Sequence, residues 1–520
     1  MILTGLHAAA TAATSATTTA ATSTGADSGD TTLQLIRLFV LLVGAAALVT
    51  LLARRINLPY TVALVAFGMA AGAIFSPLRV EITPQLVLVV LLPALIFEAS
   101  YQIDFGKLRP SLLGVSLLAG PGVLVSAGLV AAFLNLGAGL PADQAFVVGA
   151  MLAATDPAAV IATFKRLASP RRLATLVEAE SLFNDGTGIV AFTIAVSFVT
   201  GATTRSPFET GMTFVSVVAI SAAIGAAAGW AASRVLPNVG DHLIEISLSV
   251  VLAYGTYLAA DAVHQSGVIA TSVAGLVLGN YGRRLGMSQR TQEALDTVWE
   301  FVAFLATAFV FLVVGFAISL RSLEDVAAPI AWAVAATFVG RAIIVYGFLG
   351  GLRALRALPR RESKGRRSDK APESGDDRAR DEGDLPVGWL HVVYWSGLRG
   401  AVSTALALSL PADLPNRSML QGITFGVVLF TLLVQATTAE LVVNRWGRKP
   451  ARPPKSKSKA VGRPEPEARG AAGAPIEPEM VSEFEPSAEP ADEPPAGFAA
   501  RRAAGPAAGR RAMPGSKSGR

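Results

Sequence analysis

Long apolar stretches alternate with short polar ones through most of this chain. A helix needs about 20 apolar residues to cross the hydrocarbon core of a bilayer, and thirteen stretches of roughly that length lie between Leu33 and Trp446. We place them at 33–53, 58–76, 84–103, 111–136, 143–163, 173–200, 210–233, 243–260, 264–281, 294–318, 327–350, 387–410 and 420–441. The pattern predicts an all-α polytopic membrane protein with about 13 transmembrane helices, a single membrane domain over 32–446.

Three segments lie outside this pattern. Residues 1–31 are rich in Ala, Thr and Ser and contain no Lys or Arg, and 447–520 form a Pro- and Ala-rich tail. The loop 351–386 mixes ten basic with eight acidic residues. None of them carries enough apolar surface to offset the entropy of ordering the chain, so we predict that all three are disordered.

Composition excludes several other classes of protein. Only 16% of the 520 residues are charged, whereas soluble domains contain about 25%, and 52% are hydrophobic. The absence of cysteine excludes disulfides and thiolate metal sites, and the four histidines have no ligand spacing. Since basic residues in a membrane protein report orientation first, the net charge of +6 gives no reason to expect a nucleic-acid partner.

Orientation follows from the basic residues in alternate loops. One set of short loops contains twelve of them and the opposite set contains four (Arg79, Arg205, Arg321 and Arg417). The twelve are Arg54, Arg55, Lys107, Arg109, Lys165, Arg166, Arg171, Arg172, Arg234, Arg283, Arg284 and Arg290. Because basic loops stay in the cytoplasm, we predict that the 351–386 loop and the C-terminus are cytoplasmic and the N-terminus is outside.

Six ionisable residues lie inside the apolar stretches, where a charge costs about 2.5–3.5 kcal/mol on insertion scales. They are Glu98, Asp156, Glu180, Asp185, Arg341 and Arg399. For both arginines we favour an ion pair that locks two helices. Glu98 lies near the predicted cytoplasmic end of its span, so it either extends to the interface or serves a site within the membrane.

Two spans carry signals for an interrupted helix. Pro157 follows Thr155 and Asp156 in the fifth span, and Gly397 and Gly400 flank Arg399 in the twelfth. These spans are seven helices apart and run in opposite directions, which is typical of inverted-repeat transporters whose site lies where the broken helices cross. Asp156 then either caps the second half-helix, contributes to a transport site, or does both.

The sixth span carries oxygen-bearing side chains on one helical stripe. Ser181, Asn184, Asp185 and Gly188 share this stripe, and Glu180 lies one position aside. Carboxylate, amide and hydroxyl oxygens suit a hard cation. A polar contact between helices accounts for Ser181 and Asn184, but it gives no reason for Asp185.

Four strings resemble the signature segments of the NhaP-type sodium/proton antiporters, relatives of the animal sodium/hydrogen exchangers. They are LLPALIFEAS at 91–100, ATDPAAV at 154–160, ESLFNDGTGIVAF at 180–192 and GLRGAVSTALALSLP at 397–411. The resemblance implies a homodimer in which a core of spans four to six and eleven to thirteen moves like an elevator against a dimerisation domain. Ala94 departs from the family pattern, which often has a second proline there.

The resemblance also assigns roles to individual residues. Asp185 matches the aspartate that binds the cation and the proton, and Asn184 beside it adds a neutral ligand to the cation-binding set. Glu180 matches a glutamate paired to a core arginine, which is Arg341 or Arg399 in this sequence. Positions that help to bind the cation are matched by Thr155, Asp156, Ser181 and Glu98. For sodium the implied ligands are Asp185, Asp156 and Ser181.

These observations together predict a secondary antiporter rather than an enzyme. We expect it to exchange sodium or lithium for protons across a bacterial cytoplasmic membrane, electroneutrally, in pH and sodium homeostasis, with no cofactor besides the transported ions. A potassium/proton antiporter of the same family is the close alternative. A cation channel, or a membrane hydrolase using Asp156 and Asp185, is a more distant one.

Overall fold

The structure, a computed structural model, describes residues 27–56, 58–74, 86–167, 169–202, 206–318, 323–357 and 386–447. Within these ranges the chain is helical, with no strand, and a helix coincides with each of the thirteen predicted spans. Among the described residues, seven helices are long and apolar enough to cross a membrane, and three shorter helices are also apolar. The predicted all-α fold class is therefore confirmed.

We number the membrane helices α1 to α13. Those without an extended break are α1 (Asp27–Arg55), α2 (Tyr60–Ile74), α3 (Leu86–Gln102), α4 (Phe105–Ala138, with a turn at Gly120), α6 (Arg171–Val199), α7 (Pro207–Val235), α8 (His242–Ala262), α9 (Gly267–Gly282), α10 (Gln289–Ala317), α11 (Ala327–Leu355) and α13 (Arg417–Gly447). The interrupted ones are α5a (Ala142–Met151) with α5b (Ala158–Arg166), and α12a (Val387–Trp395) with α12b (Ala401–Leu408).

The segments predicted to be disordered fall largely outside the described residues, namely 1–26, 358–385 and 448–520. Where residues of these segments are described, the adjoining membrane helix extends into the segment. Helix α1 begins at Asp27, inside the 1–31 segment, and residues 351–357 continue the helix of the eleventh span. Extending an existing helix by a turn costs little once it is nucleated, so apolar content alone places such ends imprecisely.

Polar residues at the loop boundaries begin several helices. Ser206 and Glu209 form a reciprocal capping box at the start of α7. The side chains of Asp241, Ser266 and Ser288 accept backbone N–H groups at the starts of α8, α9 and α10. These caps bond amides that the first turn of a helix leaves without an intrahelical partner.

Small residues allow close contact between the membrane helices. Where α2 meets α10, a Cβ atom on Gly68 would lie 2.5 Å from the carbonyl oxygen of Leu312, and one on Gly315 would lie 2.4 Å from that of Val65. The two backbones therefore touch directly, as is typical of membrane helices that associate by van der Waals packing.

Both predicted interruptions are present, and they contact each other. Residues 152–157 separate α5a from α5b, and residues 396–400 separate α12a from α12b. The backbone N–H of Asp156 donates to the carbonyl oxygen of Leu398 at 2.8 Å. Non-helical backbone is tolerated at membrane depth only where it is buried in protein or lines a cavity, and here each break supplies hydrogen bonds to the other.

Candidate functional site: the crossing of two broken helices

The carboxylate of Asp156 bridges the starts of two half-helices. Its Oδ1 accepts the N–H of Ala158 at 3.0 Å, and its Oδ2 accepts the N–H of Ala401 at 3.4 Å. A carboxylate is favoured beside the partial positive charge at a helix N-terminus, and this one serves α5b and α12b together. The capping role considered for Asp156 is therefore present, and the same side chain also lines the cavity described below.

Arg399 makes the complementary contact at the end of α5a. Its Nη1 donates to the carbonyl oxygens of Ala153 and Ala154, at 3.1 Å each. The residue is only 1% exposed. A cation is favoured where a helix presents unpaired carbonyl groups, so the acid and the base at the crossing match the polarity of the half-helices that they contact.

Helix α6 packs its polar stripe against the break in α5. The hydroxyl of Ser181 donates to the carbonyl oxygen of Thr155, and Asn184 Nδ2 donates to Thr155 Oγ1 at 3.2 Å. Gly188 lies where a Cβ atom would be 3.4 Å from Ala154. The stripe predicted from helical spacing thus faces the interrupted helix.

Glu180 pairs with Arg341 in the protein interior. Arg341 Nη1 donates to Glu180 Oε1 at 2.6 Å and its Nη2 donates to Oε2 at 3.0 Å, while Nη2 also donates to the carbonyl oxygen of Val393 at 2.9 Å. The side chains are 1% and 6% exposed. Of the two arginines that the sequence left open, Arg341 is the one that makes this two-pronged pair.

Asn184 connects the ion pair to the crossing. Besides its contact with Thr155, its Nδ2 lies 3.4 Å from Glu180 Oε1. The side chain is buried and does not belong to the cavity lining. Its Oδ1 has no hydrogen-bond partner within the described residues, and the ligand role that the resemblance implies for Asn184 stays a prediction.

A cavity of about 630 Å³ reaches the crossing. Its lining includes polar groups of the crossing and residues of α2, α3 and α10. The crossing contributes Thr155, Asp156, Ser181, Asp185 and Ser403; the other three helices contribute Tyr60, Ile96, Glu98, Thr307 and Phe311 among others. The remaining charged residues of the lining are Arg54, Lys165, Arg166, Glu178 and Glu300.

Asp185 differs from the other acids in its hydrogen bonding. Its Oδ1 is buried and has no hydrogen-bond partner within the described part of the chain, although the residue lines the cavity. By contrast, Glu180 is engaged by Arg341 and both oxygens of Asp156 accept backbone N–H groups. A carboxylate that borders a cavity and retains a free oxygen is available to a small cation or a proton.

Glu98 also lines this cavity. Its Oε1 accepts a hydrogen bond from Gln102 at 2.6 Å, one turn further along α3. Glu98 therefore shares a cavity with the residues of the crossing, and its role in binding the cation stays a prediction.

Ser403 is a cavity residue that the sequence reasoning missed. Its hydroxyl lies 3.5 Å from the carbonyl oxygen of Ala154, so it joins α12b to the break in α5. The sequence feature that could have identified Ser403 is its position in the first turn after Gly400, where side-chain oxygens lie close to the interrupted backbone.

Two interrupted helices that cross beside a cavity lined by carboxylates define a class of protein: the secondary transporters built from inverted repeats. Residues 41–445 match the family described as sodium/hydrogen exchanger, transmembrane. The chain belongs to this family.

Individual relatives agree with this placement. The chain is 39% identical over 394 residues to the Na(+)/H(+) antiporter ApNhaP of Aphanothece halophytica, covering 75% of this chain and 70% of that one. It is 37% identical over 387 residues to the low-affinity Na(+)/H(+) antiporter NhaS1 of Synechocystis, covering 74% and 69%. The sodium proton antiporter MjNhaP1 of Methanocaldococcus jannaschii has the same fold, with a TM-score of 0.64 and 20% identity over 80% of this chain and 99% of that one.

Proposed function

We propose that this protein is a sodium/proton antiporter of a bacterial cytoplasmic membrane, and that Asp185 carries the sodium ion and the proton alternately. The observation that supports this most directly is the free carboxylate oxygen of Asp185 at the cavity wall. The family membership and the names of the relatives support the same activity. Asp156 and Ser181 line the same cavity and complete the proposed sodium site.

The charges at the crossing support exchange of one sodium ion for one proton. Three acids (Asp156, Glu180 and Asp185) and two arginines (Arg341 and Arg399) occupy this region. With all five ionised they sum to one negative charge, which a single sodium ion or a single proton neutralises. Because charge at membrane depth is costly, we infer that the core crosses the membrane only when Asp185 is loaded.

The cavity fits a state that is open to the cytoplasm. Arg54, Lys165 and Arg166 border it, and all three belong to the loops predicted to be cytoplasmic. We propose that the N-terminus is outside, that the C-terminus is cytoplasmic, and that the chain acts as a homodimer whose core slides against the partner-facing helices.

A cation channel is a poorer fit to these observations. Channels usually select ions with repeated rings of charge or carbonyl groups from symmetric subunits. This chain instead has one asymmetric set of acids, and two of them are engaged by Arg341 or by backbone amides. Sodium, lithium and potassium share the same preference for oxygen ligands, so the choice among them is a matter for experiment.

The test is dequenching of a pH-sensitive dye in reconstituted vesicles on addition of sodium, lithium or potassium in turn. We expect a saturable response to sodium or lithium, and its loss in Asp185→Asn. Asp143→Asn is the matched control, because Asp143 is exposed on the first turn of α5a and does not line the cavity. A response to potassium alone, or sodium flux without proton flux, would contradict the proposal.

A further inference from the structure

The break in α12 depends on a hydroxyl group from α13. Thr431 is 0% exposed, and its Oγ1 accepts the backbone N–H of Arg399 at 3.1 Å. The same hydroxyl has one proton to donate, either to the carbonyl oxygen of Val428 at 3.0 Å or to that of Arg399 at 3.3 Å. Thr431 thus contacts both backbone polar groups of Arg399.

The backbone N–H of Arg399 has no hydrogen-bond partner in α12a or α12b, so the hydroxyl of Thr431 takes that place. In a membrane, backbone groups released by a helix break must find partners among side chains or neighbouring helices. Two other amides at the crossing do so through the backbone: Leu398 N–H donates to the carbonyl oxygen of Ser396, and Asp156 N–H donates to that of Leu398. For Arg399 the partner is a side chain from another helix.

The local form of α13 matches this contact. Thr431–Ala436 is a π-helical segment within α13, and such segments occur often at functional sites. At its far end the carbonyl oxygen of Gln435 accepts a hydrogen bond from Trp395 Nε1 at 3.2 Å. The segment therefore contacts α12 at the end of α12a, at Trp395, and within the break, at Arg399.

We propose that Thr431 is a positioning residue for Arg399. By fixing the backbone of Arg399, it sets where the guanidinium meets the carbonyl groups of Ala153 and Ala154, and so the geometry of the crossing beside Asp185. This inference rests on the proposed antiport function, because its consequence is measured as transport.

The experiment compares Thr431→Val, which keeps the shape and removes the hydroxyl, with Thr431→Ser, which restores it. We expect the valine variant to raise the KM for sodium about three- to tenfold, the equivalent of one lost hydrogen bond, and the serine variant to restore most of the wild-type value. Thr424→Val is the matched control. Thr424 is also 0% exposed in α13, but its hydroxyl donates to the carbonyl oxygen of Leu420 in its own helix, with Met151 Sδ of α5a at 4.0 Å, and makes no contact with Arg399.

The outcomes separate this inference from the proposed function. If wild-type vesicles do not exchange sodium for protons, the function fails. If they do, but Thr431→Val behaves like wild type, Thr424→Val is equally impaired, or Thr431→Ser is not restored, the role of Thr431 is refuted. Thr431→Ala repeats the test without the bulk of valine. If neither hydroxyl-free variant folds while Thr424→Val does, the residue serves folding in general and the proposal is overturned.

Discussion

At the scale of single residues, the acids of the crossing differ in what holds them. Glu180 is buried against Arg341, Asp156 accepts two backbone N–H groups, and Asp185 has an oxygen without a hydrogen-bond partner among the described residues. Removing each of these similar side chains therefore has a different consequence. Glu180 stabilises the packing of helices, Asp156 joins two half-helices, and Asp185 has an oxygen that can bind a cation or a proton.

We predict that Glu180→Ala lowers the thermal stability of the detergent-solubilised protein more than Asp185→Asn does. Removing one partner of a buried ion pair leaves the other charge uncompensated and costs about 3–5 kcal/mol. Asp185→Asn removes a charge whose Oδ1 has no partner within the described residues. Melting curves of the two variants test this. A lower melting temperature for Asp185→Asn than for Glu180→Ala would mean that the structural role and the transport role are assigned to the wrong acids.

At the scale of elements, the crossing requires a residue without a side chain at Gly400. A Cβ atom there would lie 2.2 Å from Asp156 Oδ2. We predict that Gly400→Ala displaces this carboxylate from the start of α12b and reduces sodium-driven proton flux at least about tenfold, the equivalent of roughly 1.4 kcal/mol.

Gly128→Ala provides the control for that prediction. Gly128 lies inside α4, and a Cβ atom at this position would meet no atom within 4 Å. Alanine is also the better helix former, so this variant should keep normal flux and equal or greater stability. Equal flux in the Gly400 and Gly128 variants would show that the close contact with Asp156 is not needed.

Much of the fold was predictable because its signals are local. Apolar length located the thirteen spans, and Pro157, Gly397 and Gly400 located the two breaks. The pairing of Glu180 with Arg341 instead of Arg399 was not predictable, because it depends on how α6, α11 and α12 pack. Ser403 and Thr431 were missed for a related reason: a hydroxyl in an apolar helix usually bonds its own backbone, and sequence does not distinguish those that reach another helix.

At the scale of the whole molecule, orientation can be tested with introduced cysteines, since the chain contains none. A cysteine at Ser206, at the start of α7, should react with an impermeant maleimide in intact cells. A cysteine at Ser363, in the 351–386 loop and outside the described residues, should be protected until the cells are opened. Labelling with the opposite pattern would reverse the proposed topology.

The charge balance of the crossing leads to a prediction about membrane voltage. If a loaded core is neutral in both directions, a potassium/valinomycin potential should leave the exchange rate of sodium-loaded vesicles nearly unchanged. A net charge carried across would instead couple by about 2.3 kcal/mol per 100 mV. A steep dependence of the wild-type rate on voltage would indicate a second proton, and Asp156 is then the residue to substitute.

The pairing of three acids with two arginines at the crossing also sets what the proposed antiporter can accomplish for a cell. A carrier that moves no net charge comes to rest when the inside-to-outside ratio of sodium equals that of protons. Each pH unit by which the interior is more alkaline then sustains a sodium concentration about tenfold higher outside than inside. Without a pH difference the same protein would let sodium equalise, however large the electrical potential, so it can expel sodium against its concentration gradient only where the surroundings are more acidic than the cytoplasm.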